Sequence, residues 1–195
     1  MRRAEVRIDR AAGRISKRWV ARVVERALEA EKVRAGDVSV LVTGNRQIKA
    51  LNKKYLNHNY ATDVIAFGLG APLLGDVVVS VEMARSVSRR LGVPFREELA
   101  RYLVHGVLHL LGYQDKKVKD RKRMFGRQEW ILTKVLSTSE CRMIRRVAAA
   151  GPPALRAVGS ERRAPSRPQP RACRGARTEW GEPRTGPAES GRSVI

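Results

Sequence analysis

Apolar and polar positions alternate with period two over residues 4–9, AEVRID, as in a strand that buries one face. The next pattern is helical: ISKRWVARVVERALEAEK, 15–32, sets Ile15, Trp19, Val23 and Ala27 on one side of a helix. DVSVLVT, 37–43, predicts a second strand. NRQIKALNKKYL, 45–56, predicts a second helix with Asn45 as its N-cap and Ile48, Leu51 and Tyr55 at helical spacing. Two short β-type runs follow, DVIAF at 63–67 and GDVVVS at 75–80, joined by a connection containing glycine and proline. Three helices are then expected, at about 82–91, 95–111 and 117–136. The order βαβαββααα, with helices gathered at the end, predicts an α+β fold in which a small mixed β-sheet packs against several helices.

One of these helical runs carries chemistry. In ELARYLVHGVLHLLG, 98–112, Leu99, Tyr102, Leu103, Val107, Leu110 and Leu111 supply apolar faces, so His105 and His109 belong to a largely buried central helix. Side chains four apart share a helix face, and both imidazoles can reach one ion. Gly112 can adopt positive φ and end the helix sharply, letting the chain turn back and bring Asp115 to the same ion. Two imidazole nitrogens and one carboxylate oxygen leave a tetrahedral position open, the arrangement of a catalytic rather than a structural Zn2+ site. HxxxH also recurs by chance, and histidines on an apolar helix can be ordinary hydrogen-bonded core residues. The following glycine and aspartate favour the metal, as does scarcity: two of the chain's 3 histidines lie here.

Composition narrows the partners. Lys and Arg number 40 against 19 Asp and Glu, a formal charge of +21, and such a field attracts polyanions, most simply phosphate-rich ones. All basic residues after 137 are arginine, most of the prolines fall there, and its apolar residues show no periodicity. The chain therefore divides into a folded domain, 1–137, and a tail, 138–195, expected to be disordered except for a short helical extension around 142–150. Cys141 and Cys173 have no ligand or disulfide-framework spacing. No apolar window approaches the ~18 residues of a membrane span, and the start lacks a secretory apolar segment. A reduced, cytoplasmic protein without a membrane partner is the default. His58, in a polar loop, reads as solvated, and Asp63 and Asp76, at strand starts, read at least as well as turn residues as catalytic ones.

HGVLHLLGYQD, 105–115, resembles the HGxLHLxGYDH signature of the YbeY family of metal-dependent endoribonucleases. NRQIKALNKKYLNHNYATDVIAF is similar to the family's helix, loop and strand, and GDVVVS to its following strand, so the resemblance covers about 5–136. It implies metal ligands and catalytic residues at His105, His109 and Asp115, with no small-molecule cofactor. It also implies a part in maturation of the 3′ end of 16S ribosomal RNA, in ribosome biogenesis and in quality control, with ribosomal RNA and the small subunit as partners. The chain departs from the pattern twice: Asp115 stands where many members have histidine, and Leu56 where members typically carry an arginine after the tyrosine. Lys53, Lys54 or Arg46 are candidates for that arginine's role, and Lys117, Lys119 and Lys122 in KKVKDRKR for contacts to RNA phosphates.

Gly106 occupies the position at which an HExxH protease keeps its glutamate base. Phosphodiester cleavage, which needs a metal and nearby cations, fits the residues better than peptide hydrolysis. The reading favoured is a metal-dependent endoribonuclease preferring unpaired strands. Two alternatives stand beside it: a metalloprotease using Glu97 or Glu98 as a substitute base, and a zinc-containing ribosome- or RNA-binding protein that does not cut.

Overall fold

A computed structural model of the chain describes residues 2–70 and 73–136. The expected disordered tail, 138–195, and the helical extension within it lie outside the described residues.

Four strands, β1 (Arg2–Ile8), β2 (Gly36–Thr43), β3 (Val64–Gly68) and β4 (Leu73–Ser80), form one sheet in the order β1-β2-β4-β3. β1, β2 and β4 are parallel, and β3 returns antiparallel to β4 with Val64 opposite Val79. Parallel neighbours need a crossover, and α1 (Lys17–Ala30) supplies the first. Ser16 starts α1 by accepting a hydrogen bond from the Trp19 amide at 3.3 Å, and Trp19, Val20, Val23, Val24, Ala27 and Leu28 bury one face.

The two inner strands explain the layering. Val38, Val40 and Val42 of β2 and Val77 and Val79 of β4 point into the main core, while Val78 points the other way with Ile65 and Ile48. Residues of α2 (Asn45–Leu56) cover that second face, and α1 and α4 (Phe95–Leu110) cover the first, flanked by α3 (Val81–Leu91) and α5 (Val118–Val135). The mixed sheet against several helices is thus as expected, and α4 is the central helix.

Two details differ from the sequence reading. Gly44, not Asn45, is the N-cap of α2 and has no side chain to offer. Instead the Asn45 amide donates to Glu82 Oε2 at the start of α3, and Ser80 Oγ donates to Asn45 Oδ1 at 2.6 Å, so a neighbouring element caps this helix. A 3₁₀ turn at Arg10–Ala12 also escapes periodicity, being too short to show any.

α4 lies hard against the sheet at one point. A Cβ on Gly106 would come within 2.6 Å of Val77 Cγ1 and 3.1 Å of Val64 Cγ2. The missing side chain is what lets this turn of helix, the one between the two histidines, sit on β3 and β4.

Candidate metal centre

α4 ends just after His109. Gly112 takes φ +87°, and two hydrogen bonds close the end: Gly112 N–H to the His109 carbonyl at 2.9 Å and Tyr113 N–H to the Leu108 carbonyl at 3.0 Å. This is the Schellman arrangement, which reverses the chain sharply. Arg121 Nε then donates to the Asp115 carbonyl at 2.8 Å and holds the reversed segment.

The turn brings the three expected residues together. His105, His109 and Asp115 each offer a ligand atom, all within 4.8 Å of one another. His105 Nε2 is 3.0 Å from His109 Nε2 and 4.0 Å from Asp115 Oδ2. His109 is buried, and His105 and Asp115 are partly exposed, so the group is open on the Asp115 side.

The outer ring nitrogens decide what this group can hold. His109 Nδ1 lies 3.0 Å from the Tyr113 carbonyl, which can only accept, so Nδ1 carries the proton. His105 Nδ1 lies 2.9 Å from Gln128 Oε1, and that amide is oriented by its own Nε2–H donating to Glu129 Oε1 at 3.2 Å. With both Nδ1 atoms protonated, two Nε2 lone pairs face each other at 3.0 Å. Neutral imidazoles so arranged have no hydrogen bond between them, and a shared cation resolves the conflict. Two ligands on one tetrahedral zinc are about 3.3 Å apart, given Zn–N bonds of about 2.0–2.1 Å. The donor set fits a divalent transition metal. Burial lowers the His109 pKa below its usual value, and the neighbouring His105 lowers it further, while the Asp115 and Asp63 carboxylates act in the opposite direction. The neutral, ligating form is the one favoured.

Sequence reasoning missed the support behind His105. Gln128 is buried, on the face of α5 that also carries Met124, Ile131, Leu132 and Val135. A polar residue within an apolar stripe was the available signal. Beyond Gln128 the chain of contacts runs through Glu129 to Arg101, whose Nε donates to Glu129 Oε1 at 3.0 Å and whose Nη2 donates to Glu97 Oε1 at 3.0 Å, while Nη1 donates to Glu98 Oε2. Burial pushes the Glu98 pKa up even though Arg101 pulls it down. Burial alone would weaken the charge on Arg101, but Glu129 and Glu98 outweigh it and raise its pKa. Glu97 and Glu98 are therefore tied to Arg101 inside the protein, not poised as bases.

Asp63 serves its turn, accepting from Thr62 Oγ1 at 2.8 Å and from the Val64 amide at 2.9 Å, yet its charge also reaches His109. Asp76 on β4 pairs across from Phe67 on β3, and His58 is exposed. Lys117, Lys119 and Lys122 are exposed where α5 begins, directly after Asp115. Lys53 and Lys54 are exposed in the last turn of α2. Leu56 packs with Ile48, Ile65 and Val78 in the smaller core.

The family described as Endoribonuclease YbeY matches residues 5–136. Endoribonuclease YbeY of Chlorobaculum parvum is 33% identical over 127 residues, covering 64% of this chain and 90% of that protein. Its counterpart in Porphyromonas gingivalis is 33% identical over 135 residues, covering 68% and 87%. A Thermotoga maritima protein solved in solution shares the fold with a TM-score of 0.52 at 24% identity, over 68% of this chain and 88% of that one. The chain belongs to the YbeY family of endoribonucleases, enzymes that hydrolyse RNA.

Proposed function

We propose that this chain is a cytoplasmic, metal-dependent endoribonuclease that cuts unpaired ribosomal RNA during 3′-end maturation and quality control of the small subunit, with His105, His109 and Asp115 as its metal ligands and catalytic residues. The observation that carries the reading is the pair of Nε2 lone pairs 3.0 Å apart beside an aspartate, in a chain of an endoribonuclease family. A bound divalent ion, zinc by the chemistry of the donors, would supply an activated water and polarise a phosphoryl oxygen. The protein's own part is to hold both imidazoles in one tautomer through Gln128 and Tyr113, and to keep Asp115 at the open side. The exposed Lys117, Lys119 and Lys122 would hold the phosphate backbone without reading sequence, and Lys53 and Lys54 would do so from the last turn of α2.

Gly106 removes support from a protease reading. It faces Val77 and Val64, so a glutamate there would be driven into the sheet rather than toward the ligands. A protein that holds RNA without cutting it remains the second reading, favoured by Leu56, which is committed to packing. Incubating the purified, metal-loaded chain with precursor small-subunit RNA separates the two. Discrete, chelator-sensitive products that vanish in His105→Ala while RNA binding persists support the enzyme, with Lys117, Lys119 and Lys122 reversals weakening binding and flattening its salt dependence. Binding without any such products supports the non-cutting protein.

A further inference from the structure

The connection from α2 to β3 holds aromatic rings out in solvent on a firmly anchored backbone. Asn57 ends α2 in the left-handed region, at φ 57°. The buried Asn52 donates from Nδ2 to the Tyr60 carbonyl at 2.9 Å, and its own carbonyl accepts from the His58 amide at 3.2 Å. On this frame Tyr60 is 58% exposed, with the His58 ring stacked on it at 5.4 Å between centroids and 16° between planes. Tyr55, 45% exposed, stands edge-on to Phe67 and carries the Lys54 ammonium 5.1 Å from its ring centre.

The same segment leads into β3, against which α4 packs. Asp63 is seated by the Ser80 amide, which donates to its carbonyl at 2.8 Å, and the next residue, Val64, lies against α4 at Gly106, between the two histidines. Tyr60 precedes Asp63 by three residues, at most about 10 Å of extended chain. Core packing does not account for a ring so exposed on so constrained a loop, whereas a planar ligand would use it.

We propose that Tyr60, backed by His58, is a stacking platform for an unpaired base of the RNA strand that enters the metal centre, with Lys54, over Tyr55 in the last turn of α2, for a neighbouring phosphate. The inference rests on the endoribonuclease reading and gives its preference for unpaired strands a physical basis. Every base has a π face, so stacking tolerates sequence, and a base inside a duplex has that face covered.

The test is equilibrium binding by the full, chelator-treated chain to a labelled unpaired oligoribonucleotide, to the same strand in a duplex, and to the same strand with abasic sites. Tyr60→Ala should weaken binding to the unpaired strand roughly tenfold to a hundredfold. It should leave duplex and abasic binding, and the salt slope, unchanged. Tyr60→Phe should bind like wild type, and Tyr60→Leu, which keeps bulk without a ring, should behave like Tyr60→Ala. Unaltered binding by Tyr60→Ala, an equal loss on the abasic strand, or failure of Tyr60→Phe to bind would overturn the platform while leaving the enzyme reading intact if wild type still cleaves. Wild-type protein that neither binds nor cleaves unpaired RNA would overturn both.

Discussion

Gln128 does for His105 what the Tyr113 carbonyl does for His109: each fixes a proton on Nδ1 and leaves Nε2 free to bind. Such partners usually matter to metal affinity by about 10–100-fold. Gln128→Ala is therefore expected to weaken zinc binding by about that factor in chelator competition. A second prediction concerns protons. Since burial holds the His109 pKa below 6.5, the folded metal-free protein binds fewer protons than the unfolded chain just below that value. Its stability should fall as pH drops from about 6.5 toward the folded value and level off below it, a slope that His109→Gln should lessen in thermal melts. The grouping of His105, His109 and Asp115 was legible because a four-residue spacing and a glycine reduce to local geometry. Gln128 was not, because its partner is 23 residues away and nothing local links the two.

Element order and type were legible wherever period and length agreed, as with the alternating valines of β2, the short valine run of β4 and the apolar face of α1. What periodicity could not supply was contact between elements. Glu82 capping α2 from α3, and Glu97 and Glu98 buried beneath Arg101, each depend on a neighbour that the sequence does not place. α4 itself illustrates both sides. Its helical pattern was plain, yet the reason for glycine between the histidines emerged only with Val77 and Val64 against it. Gly106→Ala would force a Cβ into that contact, since a valine methyl 2.6 Å away has little room to yield. A destabilisation of about 1–3 kcal/mol is expected in denaturant unfolding, against a gain from helix propensity alone if the contact were loose.

At the scale of the molecule, a formal charge of +21 predicts an affinity for RNA that depends steeply on salt. The arginine- and proline-rich composition after residue 137 bears on the domain boundary proposed there. Removing 138–195 should leave the thermal midpoint nearly unchanged while lowering RNA affinity, because the segment carries positive charge but little capacity to form a core. A large loss of stability on truncation would place that boundary elsewhere. Among the described residues no helix is long and apolar enough to cross a membrane. The central claim, that one metal ion is held by His105, His109 and Asp115, is tested most directly by elemental analysis of protein purified without added metal. Near-stoichiometric zinc or another transition metal in wild type, and its loss in His109→Ala but not in Asp120→Ala, is the result expected; equal metal content in wild type and His109→Ala would contradict it.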